Sequence, residues 1–359
     1  MVTSVVVAIL VLGFLIVFHE FGHFIVARRV GVGVLKFSVG FGPALIGTRI
    51  GRTEYVVSAI PLGGFVKMIG EDPDEEVSDA DRALSFTEKA LWRRTAVVLA
   101  GPLANLLLAY LAFAAVFAFY GSREVTDAAV VGGLSIDMPA AAAGVEPGDR
   151  IVAIDGEPIA DWNALSEAIR GSEGRSLDFT LERDGAQLVL PIQPKSAPRH
   201  NEFGEVVEMS YLIGIERSFA TRPVGLLEAA WLGGEQTVWW VRTLILSIGK
   251  MLSGSIPAEQ IGGPIMIVQA AGEQAQRGLE DLLYFMAIVS VNLGILNLLP
   301  IPILDGGHLF FFAIEGILRR PLAVRHREIA QTIGLFVIVS LMAFAFYNDI
   351  RRNLESWWG

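Results

Sequence analysis

Four stretches of this chain are apolar for long enough to cross a lipid bilayer, and no other feature limits its fold as strongly. Residues 2–27 form an almost unbroken apolar run. At about 1.5 Å per helical residue, roughly 20 such residues span a hydrocarbon core of about 30 Å. Further blocks cover 96–120, 282–299 and 333–347. With no water in the bilayer core to satisfy the backbone, helices are the expected form. No Lys or Arg precedes the first run, no small-residue cleavage site follows it, and Arg28-Arg29 stands at its far end. A retained helix is therefore expected there, not a secretory leader.

Basic residues orient the helices. Arg28, Arg29, Lys36, Arg49, Arg52 and Lys67 follow the first block, Arg93 and Arg94 precede the second, and Arg319, Arg320, Arg325 and Arg327 precede the last. The positive-inside rule puts all three groups on the cytoplasmic side, so the number of crossings between Arg94 and Arg319 is even. That parity decides residues 224–252, which are apolar but carry Glu228, Glu235, Arg242 and Lys250 along one helical face. They are expected to form an amphipathic helix on the outer membrane surface. Acidic residues gather on the same side: residues 122–281 hold 12 Lys+Arg against 23 Asp+Glu.

The stretch 127–194 has a different character. Short alternating runs at 150–154, 177–181 and 188–190 are separated by Pro147-Gly148-Asp149, Asp155-Gly156 and Asp184-Gly185, with a helical segment at 162–170. Turn chemistry and period-2 alternation predict a small β-rich module. The chain as a whole has 28 Lys+Arg, 38 Asp+Glu and a net charge of -10, so no basic surface is expected to hold nucleic acid. With no Cys, thiolate metal sites and a cysteine nucleophile are excluded.

Chemistry is concentrated at His19-Glu20-Phe21-Gly22-His23, inside the first apolar run. On a helix, His-Glu-x-x-His places two imidazoles one turn apart on one face, where both reach a single zinc ion. The Glu beside them is the general base for water. Such a cluster at membrane depth is costly unless it has a function. A catalytic zinc site normally takes a third protein ligand. His200 and His326 are poorly placed for this, the first in a loop trailing the β-rich module and the second among cytoplasmic arginines. The candidate lies in Asn297-Leu-Leu-Pro300-Ile-Pro302-Ile-Leu-Asp305-Gly306-Gly307-His308, where two prolines break the helix and two glycines allow a tight path. Asp305 is favoured as the ligand, with His308 as its rival. Asn297 is suited to hydrogen-bond a substrate backbone or an oxyanion.

These residues carry a resemblance. The chain is similar to the site-2 protease family of intramembrane zinc metalloproteases, in its bacterial regulator-of-sigma-E protease branch. The matching pieces include the His-Glu-x-x-His run, Phe37-Ser38-Val39-Gly40-Phe41-Gly42, Ile60-Pro61-Leu62-Gly63-Gly64-Phe65, Gly101-Pro102-Leu103-Ala104-Asn105, Gly262-Gly263-Pro264-Ile265 and 290–308. The segment 139–156 resembles a PDZ domain, with Val131-Gly132-Gly133-Leu134 where a carboxylate-binding loop would fall.

The resemblance implies zinc bound by His19, His23 and Asp305, water activation by Glu20, and substrate positioning by Asn297, Pro300, Gly63 and Gly64. Residues 55–69 would form a re-entrant β-hairpin whose edge pairs with substrate. The expected fold is a polytopic α-helical membrane protein with four transmembrane helices, this hairpin and one extracytoplasmic PDZ-like domain. Its expected parts are a first span at 1–28, a membrane-associated loop at 29–95, a second span at 96–121, the PDZ-like domain at 127–196, a linker with surface helices at 197–280, a third span at 281–308, a basic cytoplasmic loop at 309–332 and a fourth span at 333–350. The expected partners are single-pass membrane proteins, the lipid bilayer of the bacterial inner membrane, and a peptide or C-terminus at the PDZ-like domain, with no nucleic acid. Two other readings are a membrane-anchored zinc protease of another clan and a non-enzymatic PDZ scaffold.

Overall fold

The computed structural model describes residues 2–71, 77–135, 137–201, 205–320 and 322–358. Helix α1 (Val2–Arg29) leads into paired strands β1 (Val34–Ile50) and β2 (Thr53–Met68), then helix α2 (Leu91–Tyr120). A β-rich stretch follows: β3 (Ser122–Val125), β4 (Val131–Leu134), α3 (Pro139–Ala142), β5 (Arg150–Ile154), β6 (Glu157–Pro158), α4 (Trp162–Gly171), β7 (Leu177–Arg183), β8 (Ala186–Ile192), β9 (Lys195–His200), β10 (Val206–Leu212), β11 (Ile215–Arg217) and β12 (Phe219–Arg222). Helices α5 (Leu226–Leu252), α6 (Pro264–Arg277), α7 (Leu279–Asn297), α8 (Asp305–Leu318) and α9 (Val324–Trp358) complete the chain. It divides into two compact units, one of residues 1–119 and 226–359, the other of 120–225.

In the helical unit, α1, α2, α7 and α9 are long and apolar enough to cross a membrane. Their ends outrun the apolar blocks, because hydropathy marks only the lipid-compatible part of a helix. Thus α2 starts at Leu91, and α9 starts at Val324, where Arg325 and Arg327 continue a regular helix. Most of the loop expected at 309–332 is therefore helical, interrupted after α8 where Arg319 takes a left-handed conformation (φ 53°). Helix α5 is not among the membrane-length apolar helices. It does more than lie on a surface: Trp240, Val241 and Leu244 pack against Ala109, Phe113, Ala287 and Val291 of α2 and α7. Gly233 permits that approach, since a Cβ there would fall 2.7 Å from the Ala114 nitrogen.

Polar joints hold α6 and α8. The Asp349 carboxylate of α9 accepts the N–H groups of Gly263 and Ile265 at 2.9 Å and of Met266 at 3.2 Å, capping the N-terminus of α6 from another helix. Glu315 of α8, buried, lies 3.0 Å from Arg94 of α2 and also pairs with Arg327 of α9.

The hairpin is longer than residues 55–69, because β1 supplies its first strand and the turn lies at Gly51-Arg52. It folds back on itself: residues 36–39 are paired on both edges, with 64–67 on one and 54–57 on the other. Residues 61–64 lie along α1. A Cβ at Gly13 would meet the Pro61 carbonyl at 2.9 Å, and one at Gly64 would meet Glu20 Cγ at 3.8 Å.

The β-rich unit extends beyond 127–196 because β11 and β12 return to pair with β4 and β3. Its four-stranded sheet runs β6-β5-β7-β8, and the β7–β8 hairpin turns at Asp184-Gly185, both at positive φ (51° and 80°), as a type I′ turn requires. Ile151, Leu165, Phe179 and Leu181 form its core. The Val131–Leu134 segment is a strand paired to β11, not an open carboxylate loop. Val131 is also engaged on its other side, donating to the Asp149 carbonyl and accepting from Gly148.

Arg183 donates to both carboxylate oxygens of buried Asp149 at 2.6 Å, and the Glu146 N–H adds a third bond at 2.9 Å. Arg183 chiefly, helped by that N–H, holds the Asp149 carboxyl below its ordinary value of 3.8. A depressed carboxyl stabilises the fold above the ordinary value, and this contribution is lost as pH falls through the folded-state value. Arg183→Met is therefore expected to lower the stability of this unit at neutral pH and to move its acid unfolding to higher pH, as followed by circular dichroism.

Candidate metal centre

Helix α1 is apolar on nearly all faces, and His19 and His23 fall one turn apart on the side it buries. Asp305 arrives from another direction. After α7 ends at Asn297, Pro300 and Pro302 withhold two backbone N–H groups and the chain crosses irregularly to α8, whose first residue is Asp305. Gly306 and Gly307 let α8 start against that crossing, since Cβ atoms there would lie 2.2 Å from the Leu299 oxygen and 2.3 Å from the Ile301 oxygen.

Three donor atoms converge as a result. His19 Nε2 is 3.1 Å from Asp305 Oδ2, His23 Nε2 is 3.5 Å from the same oxygen, and the two Nε2 atoms are 3.2 Å apart. His23 Nδ1 donates to the Val97 carbonyl at 2.8 Å, so its Nε2 presents a lone pair. Asp305 Oδ2 is buried with no hydrogen-bond donor. Electron-rich atoms facing one another in this way suit a cation. The triangle also has the right size, because a tetrahedral ion with bonds of about 2.0–2.1 Å holds its ligand atoms about 3.3–3.4 Å apart. The residues fit zinc.

Glu20 lies beside this triangle and lines the same cavity of about 640 Å³. Val66 of the hairpin lines that cavity too. The Met68 N–H, two residues on, donates to Glu71 at 3.1 Å. Residues 64–67 pair with β1 on one edge, and Phe65 and Val66 line the cavity beside Glu20.

Of the remaining expected residues, Asn297 lines the cavity, and so does His308, which stands outside the triangle. Gly64 packs beside Glu20, and Gly63 packs against Phe41 and Ile16. Pro300 shapes the crossing but is not part of the cavity wall. His200 ends β9 in the other unit, and His326 lies in the first turn of α9.

Residue-level reasoning missed the part of α2 that faces the imidazoles. Val97, Gly101 and Asn105 recur every four residues on one helical face. Val97 receives His23. Gly101 makes room for both rings, since a Cβ there would fall 2.2 Å from His23 Nε2 and 2.8 Å from His19 Cε1. The buried Asn105 amide lies against His19 Nδ1, with its nitrogen 3.3 Å away. The available signal was the four-residue spacing of Gly101 and Asn105 on a membrane-length helix.

Comparison with known proteins places the chain in a family. A protein of Agrobacterium fabrum named as a presumed zinc metalloprotease is 40% identical over 357 residues, covering 95% of this chain and 94% of its own. Zinc metalloprotease RasP of Geobacillus kaustophilus is 29% identical, covering 97% and 98% respectively. A PDZ domain from a Listeria monocytogenes protein aligns with 27% of this chain and 93% of its own, at 20% identity and a TM-score of 0.21. The family model for Peptidase family M50 matches residues 7–341. The chain belongs to that family, the site-2 proteases, and is a membrane zinc metalloprotease.

Proposed function

We propose that the enzyme cuts single-pass membrane proteins within or beside their transmembrane segment, in regulated intramembrane proteolysis at the bacterial inner membrane. The observation that carries this reading is the convergence of Asp305, at the start of α8, on His19 and His23, which lie with Glu20 inside a membrane-length apolar helix. His19, His23 and Asp305 are the proposed zinc ligands. Zinc, when bound, acidifies water and polarises the scissile carbonyl.

The other steps belong to the chain's own residues. Glu20 takes a proton from the attacking water as the new C–O bond forms. It returns that proton to the amide nitrogen as the C–N bond breaks, leaving a carboxylic acid and an amine. Asn297, on the cavity wall at the end of α7, is suited to hold the carbonyl oxygen or an adjacent substrate amide. A helical substrate shields its peptide bonds and must unwind locally before attack. The strand at residues 64–66, with Phe65 and Val66 lining the cavity beside Glu20, offers the unwound segment an edge to join. On this reading the hairpin enters the membrane from the cytoplasmic side. The β-rich unit lies outside as a PDZ-like size filter.

Reconstitution with a single-pass model substrate tests the proposal. Glu20→Gln is expected to retain zinc and to lose cleavage by about 10²–10⁴-fold, the usual worth of a general base. Asp305→Ala is expected to lose zinc or bind it weakly. Cleavage by Glu20→Gln at the wild-type rate would overturn the mechanism.

Gly101→Ala gives an independent check. The added methyl collides with both imidazoles, so zinc content measured by elemental analysis is expected to fall sharply while the purified protein stays helical by circular dichroism.

A further inference from the structure

We infer that Asn105 is a positioning residue for His19: its amide oxygen accepts the Nδ1–H and so keeps Nε2 available as a ligand lone pair. The inference rests on the zinc reading above and concerns a residue with no place among the ligands or in the proton transfer.

Asn105 is fully buried, and its amide is in contact with His19 Nδ1. Amide nitrogen and oxygen are told apart only by their hydrogen bonds. With the nitrogen toward the ring, Asn105 would donate to Nδ1. The imidazole proton would then sit on Nε2, pointing at Asp305 and His23, where a metal ligand needs a lone pair. In that orientation Asn105 Oδ1 is also buried without a donor. Exchanging the two atoms gives Oδ1 the Nδ1–H as its donor and frees Nε2.

His23 obeys the same logic through the Val97 carbonyl. One face of α2 therefore sets the tautomer of both imidazoles, with Gly101 between them leaving room for the rings. The platform is held in place: buried Ser290 of α7 donates its hydroxyl to the Asn105 carbonyl at 2.8 Å. Helices α1, α2 and α7 meet at this one residue. Partners that orient metal-bound histidines are typically worth 10–100-fold in metal affinity.

The test uses full-length protein in detergent micelles, with zinc affinity measured by chelator competition and ligand geometry by the visible spectrum of the cobalt-substituted form. Asn105→Leu is expected to weaken zinc binding about 10–100-fold and to alter the cobalt spectrum, while thermal unfolding of the metal-free protein is unchanged. Asn105→Asp keeps an accepting oxygen and is expected to bind zinc within a few-fold of wild type. Wild-type affinity in Asn105→Leu overturns the inference, as does loss of metal-free stability in step with affinity. Binding by Asn105→Asp as weak as that of Asn105→Leu also overturns it, because a donating amide would then be required. If Asn105→Leu does not fold, Asn105→Asp decides alone: zinc affinity within a few-fold of wild type supports the inference, and a loss of about 10-fold or more overturns it. A wild-type protein that takes up no zinc overturns the proposed metal site itself, whereas normal wild-type uptake with an indifferent Asn105 overturns only the positioning role.

Discussion

Three electron-pair donors held 3.1–3.5 Å apart and largely buried repel one another unless a cation joins them, and the helical unit is arranged around that demand. An uncompensated carboxylate at such depth costs several kcal/mol. Each neighbouring feature either brings the donors together or fixes their protons. Two histidines one turn apart are supplied by a single helix. The carboxylate comes from a second helix that begins where two prolines end the preceding one. The ring protons that would spoil the site are directed away from it by a third helix, and only a glycine at position 101 lets that helix come close enough.

Lipid removes the hydrophobic force that drives soluble helices together, so contacts in such a protein depend on close packing and polar joints. The helical unit shows both. Gly22, Gly233 and Gly294 sit where a Cβ would crowd a neighbouring helix. Asp349 caps α6 from α9, and Glu315 unites α2, α8 and α9 through two arginines. Non-helical backbone at membrane depth must be buried in protein or line a cavity, and the irregular crossing between α7 and α8 meets that condition. Here it borders the cavity that contains Asn297 and Asp305.

The β-rich unit follows a different logic. It has an apolar core of its own, I′ turns at Asp-Gly pairs, and a bidentate Arg183–Asp149 joint. Its chain ends meet through β3 and β12, closing it into a module inserted in the sequence between α2 and α5.

The sequence by itself determined what depends on local period and residue chemistry. Apolar length set the four membrane helices, a four-residue spacing put His19 and His23 on one face, Pro300 and Pro302 ended α7, and Asp-Gly pairs marked hairpins. Relations between distant segments were decided only in three dimensions. The return of β11 and β12 to β4 and β3, the doubled pairing of residues 36–39, the carboxylate of Asp349 on α6 and the Val97, Gly101 and Asn105 face toward the imidazoles all join residues far apart in the chain. No local preference encodes them. They follow from which surfaces can approach closely enough to exchange hydrogen bonds, and that is a property of packing.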